Sequence, residues 1–487
     1  MILNTDRIKR IANKVRELPD AVLADIGFER VMGLEVVADP RTTRSTTSCD
    51  RTYDVIVDIV VDIVSEVEYP TMSGERPAEQ PKTWPNCRNR TTEQYLLLAS
   101  HSEVTPMHLT AVKSDLSRLL QIACSFPEKQ APMPILKHSL LSAGSGVLQL
   151  QASDLKQSVS ALCPASVLAS GSIAVNSKLL SDSIGALPEG AVDLRVDDML
   201  LIVSSGRRKY KLPFELADNF PRMPEIDRSH PALEIAASEL VGLIDRCRRA
   251  SSDDDSDPKS SSMLLEIGNG TAMAVSLDGK MLCVAKHVYG GTNGLTAMIP
   301  MKGMRRLEKA LGEYSGVVKI SRSTRSDSGI ASLFFEFGSI RFWSSVFDRA
   351  SFHTYEVFLD NVANHRRVLV PRQALAESTA AVAEIFDKDD HPKVTVSIRD
   401  GSIRLFARST AKGSAEDFIE GIQYSGDPYH VGMNAQNIAD ALVPVGTKEV
   451  QLGWLPGSSL VSLTIPDSDS YCALLGTFAV DEADVVK

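Results

Sequence analysis

The chain lacks the signatures that catalytic and metal-binding proteins usually carry. It has no Gly-rich phosphate loop, no H-E-x-x-H pair and no G-x-S-x-G elbow. Its nine histidines are scattered, none at ligand spacing from another. These absences argue against an enzyme and against a bound metal or other cofactor. The seven cysteines, at 49, 87, 124, 163, 247, 283 and 472, form no C-x-x-C pair. That excludes a zinc ribbon and suits small buried thiols in a reducing cytoplasm. No apolar run reaches the length of a membrane span, and Asp6 and Arg7 interrupt the stretch a signal peptide needs, so the expected location is cytoplasmic. An excess of positive charge is missing too: 52 Lys+Arg against 62 Asp+Glu leave a net charge of −10. A protein that coats nucleic acid with its whole surface is disfavoured, but a local basic lining inside an acidic exterior is not.

What is present is one design written three times between Met107 and Val480. Each copy opens with a short strand and an amphipathic helix, continues through strands that hold a second helix, and ends on an extended connector. The openings are His108-Leu-Thr-Ala-Val-Lys-Ser-Asp-Leu-Ser-Arg-Leu-Leu120, Ala232-Leu-Glu-Ile-Ala-Ala-Ser-Glu-Leu-Val-Gly-Leu-Ile-Asp245 and Arg367-Val-Leu-Val-Pro-Arg-Gln-Ala-Leu375. Ser172-Ile-Ala-Val-Asn, Thr296-Ala-Met-Ile-Pro and Tyr429-His-Val-Gly-Met-Asn introduce the second helices. A spacing of roughly 125 to 130 residues fits whole domains and not a solenoid. Alternating strands separated by Ala143-Gly-Ser-Gly146, Gly268-Asn-Gly270 and Asp400-Gly401 predict antiparallel hairpins. Helices are expected at 110–124, 176–187, 236–250, 301–314, 371–386 and 434–442. The stretch Ser251–Ser262, acidic and low in complexity, reads as a mobile linker.

These residues resemble a family. Pro134-Ile-Leu-Lys-His-Ser-Leu-Leu, Leu148-Gln-Leu-Gln-Ala-Ser-Asp-Leu, Lys209-Tyr-Lys-Leu-Pro and Asn219-Phe-Pro-Arg-Met-Pro-Glu-Ile226 look like the first domain of the bacterial DNA polymerase III beta subunit, the replicative sliding clamp. Met263-Leu-Leu-Glu, Ala274-Val-Ser-Leu-Asp-Gly-Lys-Met-Leu282, Ile299-Pro-Met-Lys-Gly and Trp343-Ser-Ser-Val-Phe-Asp-Arg349 continue the match into a second domain. The resemblance covers about residues 107–480. It implies an α+β fold of three tandem DNA-clamp domains, each with two helices packed on antiparallel sheet. Their expected bounds are 106–228, 229–362 and 363–487, after an N-terminal extension over 1–105. It also implies a non-catalytic processivity factor, a head-to-tail homodimer that encircles double-stranded DNA without reading its sequence. The rival reading is a clamp-fold adaptor that binds replication proteins without encircling DNA.

Two candidate surfaces follow. Basic side chains on the paired helices can neutralise phosphates without base contacts, as a sliding protein requires. They are Lys113, Arg118 and Lys178 in the first copy, and Arg246, Arg248, Arg249, Lys302, Arg305, Arg306 and Lys309 in the second, with Arg372 in the third. By the resemblance, the loops holding Lys129 and Lys259 also approach DNA. The second surface is a hydrophobic pocket that, in the family, receives a short peptide from the polymerase and the clamp loader. Carried over by position, it comprises Leu277, Gly279, Lys280, Met281 and Leu282, with His353, Val357 and Phe358, and Cys472, Ala473, Leu474, Leu475 and Gly476. Lys280-Met281 stands where the family usually has a His-Arg pair.

Residues 1–105 fall outside the resemblance. A helix over 5–17 with Ile8, Ile11 and Val15 on one face, and strands at 30–37 and 92–100, predict a small folded α+β domain. Residues 53–69 carry acidic residues at every fourth position, as a helix would gather them, but their Val and Ile content favours a strand.

Overall fold

Antiparallel ladders form where the sequence alternates. In strand His138–Gly144, Ser139, Leu141 and Ala143 are buried and their neighbours are not. Ser145 and Gly146, at φ 49° and 77°, join it to Val147–Ser153 through the two positive-φ positions that a type I′ hairpin demands. Asn269 and Gly270, at 50° and 80°, do the same between Ser262–Gly268 and Thr271–Leu277.

The structure is a computed structural model that describes residues 106–485, apart from 128–131, 227–231, 253, 255, 325–330 and 388–390. The helix and strands expected within 1–105, and Lys129, lie outside the described residues. Three successive segments repeat one element order: strand, helix, four strands, helix, three strands. The helices are α1 (Lys113–Ala123), α2 (Ser177–Gly185), α3 (Ala237–Cys247), α4 (Met301–Leu311), α5 (Arg372–Ala383) and α6 (Ala435–Leu442). Residues 110–112, expected to open the first helix, end strand His108–Val112 instead, because Leu109 and Ala111 alternate into the core. Asn176 and Asn434 cap α2 and α6, each side chain accepting from amides two or three residues on.

The strands form two twelve-stranded sheets, and all the described ladders are antiparallel. Each sheet continues from one segment into the next. Strand Gln157–Ala169 of the first pairs with Ile340–Ser345 of the second, Phe342 facing Val159. Strand Met281–Val288 of the second pairs with Tyr471–Phe478 of the third, Leu282 facing Leu474. Helices pack in pairs α1/α2, α3/α4 and α5/α6, and α1 also touches α4. Arg249, just past the end of α3, approaches Asp440 of α6 at 3.8 Å, so the helices follow the order α2–α1–α4–α3–α6–α5. Leu116, Leu180, Leu240, Leu307, Leu375 and Ile438, one from each helix, share one apolar core with the inward strand faces.

The acidic linker is more closed than its composition suggests. Asp257 accepts from the Ser260 hydroxyl at 2.6 Å, and the Ser252 amide donates to Ser260 O at 2.8 Å. Ser and Asp side chains here satisfy a tight loop's own backbone, which low complexity alone does not reveal.

Candidate functional site

Arg118 on α1 and Lys309 on α4 are exposed and line one cleft of about 610 Å³, with Gln121 and Tyr314. Lys178 on α2 and Lys259 in the closed loop are also exposed. Lys302 and Arg372 are half-buried at the starts of α4 and α5. The arginines at the end of α3 are engaged. Arg248 meets Asp245 at 3.0 Å and Glu308 at 3.7 Å, and Arg249 meets Asp245 at 3.2 Å. Arg246 donates to Ser470 O at 3.4 Å, and Arg305 to Arg248 O and the Ser251 hydroxyl, each at 3.0 Å. Burial holds the Glu308 carboxyl above its ordinary pKa, against the pull of Arg248. The cluster expected to be the strongest phosphate binder is therefore interleaved with carboxylates. Lys113 is likewise occupied, its ammonium at 2.7 Å from Leu187 O and 2.9 Å from Glu189.

Arg306 departs furthest from expectation. It is 7% exposed and cannot face solvent phosphate. Its guanidinium pairs with the buried Asp154 and donates to Gln157, both in the first segment. It also donates to Ser125 O at 3.0 Å and Phe126 O at 3.2 Å, and lies 4.7 Å over the Phe126 ring. Asp154 in turn accepts from the amides of Lys156 and Gln157 at 3.0 and 2.7 Å. Gly303, one turn before, permits the approach: a Cβ there would meet Gln157 Nε2 at 2.8 Å. The first seam is thus tied by one buried ion pair and the hydrogen bonds around it. Donors and acceptors converging from three stretches of chain left no signal in the sequence beyond a helix arginine.

Strand alternation sorts the proposed pocket residues at the second seam. Leu282 and Leu474 point outward and join Leu264, Val275, Val284, Met298, Phe352 and Tyr355 in a separate apolar cluster, flanked by Leu277 and Cys472. Met281, Ala473 and Leu475 sit one residue out of phase and point into the core beneath the helices, so they cannot line a surface groove. Gly279 and Lys280 occupy an exposed turn held by Asp278, and the Gly476 amide donates to Lys280 O at 2.9 Å. His353 is exposed, and Val357 and Phe358 face solvent at 60% and 43%. In their place Leu359 and Val362 pack on the cluster. The helical turn Glu356–Leu359 reverses which residues face inward, something a position-by-position transfer does not see. A cleft of about 410 Å³ beside it is lined by Val284, Leu359, Val362, Gln451, Thr464 and Cys472, among others.

Comparison with known proteins settles the relationship. Residues 107–224 match the family described as DNA polymerase III beta subunit, N-terminal domain. The beta sliding clamp of Pseudomonas aeruginosa is 27% identical over 374 residues, covering 76% of this chain and 99% of that protein. The Caulobacter vibrioides beta sliding clamp is 28% identical over 346 residues, covering 69% and 89%. The chain is a homologue of the beta sliding clamps. A crystal structure of the Pseudomonas aeruginosa clamp superposes with a TM-score of 0.70 at 25% identity, covering 77% of this chain and all of that one. The Thermotoga maritima beta subunit, at 21% identity and a TM-score of 0.71, shows the same fold. In this clamp homologue the antiparallel, helix-paired architecture read from the sequence holds across the described residues, and the paired helices carry the exposed Arg118, Lys178 and Lys309. Among the described residues no helix is long and apolar enough to cross a membrane.

Proposed function

We propose that the protein is a DNA sliding clamp, a non-catalytic processivity factor whose domains 106–228, 229–362 and 363–487 form half of a ring closed by a second copy. It holds a polymerase at the primer end by topology, raising its effective concentration there. The observation that carries this reading is the unbroken row of six helices over two sheets that cross both seams, together with the edges left at its ends. At one end residues 208–213 pair with Leu200–Ser205 on one side and carry no strand on the other among the described residues; Arg208, Lys209 and Lys211 are exposed along this stretch. At the other end, Gly413–Ile422 pairs on one side alone among the described residues and carries Glu416, which meets Arg404 at 2.8 Å, with Asp417 and Glu420. A basic edge and an acidic edge are complementary head to tail, the arrangement a closed ring of two chains needs.

The test is the mass in solution, followed by retention on nicked circular against linear DNA. Two chains per particle, with retention on the circle that survives salt and is lost on linearisation, is the expected result. One chain per particle, with equal loss from both, would favour the adaptor that binds a partner without ringing DNA. The carboxylates interleaved with Arg248 and Arg249 are the feature that favours the adaptor. The polymerase and the clamp loader are taken to dock by a short apolar peptide on the outward cluster around Leu282 and Leu474.

A further inference from the structure

The outer face of the third segment's sheet is covered by its own chain. In strands Lys393–Arg399 and Gly401–Ser409, Val394, Val396, Leu405 and Ala407 belong to the core beneath the helices. Thr395, Ser397 and Phe406 alternate with them and point the other way, yet they are buried too. The chain beyond Tyr471–Phe478 crosses this face. On one side the Lys393 ammonium donates to Ala479 O at 2.6 Å. On the other, Arg404 donates to Asp484 O at 2.8 Å. Arg408 meets the Asp484 carboxylate at 2.8 Å, as an ion pair not aligned for a hydrogen bond. The turn Glu482–Asp484 is closed by Asp481, whose side chain accepts from the Ala483 amide at 3.2 Å and whose carbonyl accepts from the Asp484 amide at 2.9 Å. The two guanidiniums lie 4.6 and 5.5 Å from the centre of the Phe406 ring. The next strand out is the acidic edge Gly413–Ile422, and Arg404 reaches it with Nε and Nη2 at 2.9 and 2.8 Å from Glu416.

We propose that Asp484 is a positioning residue for ring closure. Two cations stand directly behind the acidic edge, and each is met by one carboxylate: Arg404 by Glu416 and Arg408 by Asp484. By neutralising Arg408, the folded-back chain lets the edge act on a second copy as an acidic one. The inference rests on the ring reading. In the closed ring the basic edge of the second copy lies two strand spacings, about 10 Å, from the strand that carries Arg408. That is about one Debye length at 0.1 M salt, so a bare guanidinium there repels Arg208, Lys209 and Lys211 of the incoming edge. A head-to-tail ring of two chains has two such joints, so one substitution acts twice.

The test is the dissociation constant of the full-chain dimer, read by sedimentation equilibrium at about 0.05 and 0.5 M salt. The forms compared are the unsubstituted chain, Asp484→Asn, Asp484→Glu, Arg408→Gln and the double variant D484N/R408Q. D484N should dimerise about tenfold more weakly at the lower salt, with the gap closing at the higher salt. D484E, which keeps the charge, should stay close to the unsubstituted chain. R408Q alone, which bares a carboxylate and not a cation, should not weaken the dimer. Removing the stranded cation as well should return most of the D484N loss, and that recovery excludes misfolding as its cause. A D484N dimer as tight as the unsubstituted one, or a double variant as weak as D484N, overturns the role of Asp484 and leaves the ring standing. An unsubstituted chain that stays monomeric overturns ring closure, and the role of Asp484 falls with it.

Discussion

The two seams share a strand-to-strand joint and differ in what surrounds it. At the first, Ile340–Ser345 pairs with Gln157–Ala169, and Arg306 drives a buried charge into Asp154, Gln157 and two carbonyls. At the second, Met281–Val288 pairs with Tyr471–Phe478, and the outer surface is apolar, shared between Leu282, Leu474 and the connector. A buried ion pair tolerates little displacement, since breaking one of its hydrogen bonds strands a desolvated charge. Apolar packing is non-directional and adjusts at small cost. The first seam is therefore built to hold one angle, and the second to adjust.

The sharpest way to break this contrast is at Arg306. Arg306→Ala leaves the buried Asp154 without its cation, and stability in urea should fall by about 3–5 kcal/mol. A drop under about 1 kcal/mol would mean that the first seam is held by its strands alone. At the second seam, Leu282→Ala should cost about 2–3 kcal/mol, near the bottom of the range for buried leucines, because the adjacent cleft lets the site relax. If L282A cost as much as R306A, the distinction between a fixed and an adaptable seam would fail.

Much of this was legible in the chain, and what was hidden has a physical reason. Turns such as Gly268-Asn-Gly270 and helices such as Met301–Leu311 are local, set by φ preference and apolar periodicity within a dozen residues. The seam residues were visible as well, since Leu282 and Leu474 lie in strands that the family resemblance placed together. What escaped is long-range and polar. Arg306 reads as one more helix cation until Asp154, 152 positions away, lies beside it. The phase of the pocket was hidden for a similar reason, because Met281 and Leu475 differ from Leu282 and Leu474 by one residue and so by one face.

The charge reading sharpens the contrast between free and engaged cations. Replacing Arg118 and Lys309 with alanine should reduce the steepness of log K for DNA against log salt by about one unit for each phosphate no longer neutralised. Replacing Arg248 and Arg249, which already face Asp245 and Glu308, should change it by less. Binding titrations of one duplex across a series of salt concentrations measure both. Equal reductions would show that the carboxylates do not shield the arginines.

The smallest effect concerns pH and the entry to the third segment. His365 is 8% exposed, directly after the short turn Val362–Asn364, with its Nδ1 at 2.9 Å from the Ser462 hydroxyl. Burial is the largest cause that lowers its pKa below the ordinary 6.5, and the Arg367 charge adds to it. The Gly453 backbone hydrogen bond favours the protonated ring, but burial and the Arg367 charge outweigh it. A histidine depressed in the folded state binds its proton more readily when unfolded. Its neutral form therefore stabilises the fold fully above about pH 6.5, and that stability is lost as pH falls from there through the lower folded value. His430 is depressed in the same direction, by burial first and then by Arg399 and Arg404, so it adds to the same limb. Stability of the unsubstituted chain should decline as pH drops below about 6.5, and His365→Gln, which keeps a hydrogen-bonding group at the site, should flatten that decline without removing the share due to His430. Urea midpoints at a series of pH values between about 7.5 and 5 read the difference. An unchanged slope in H365Q would place the acid sensitivity elsewhere, and the third segment's entry would then be indifferent to the proton.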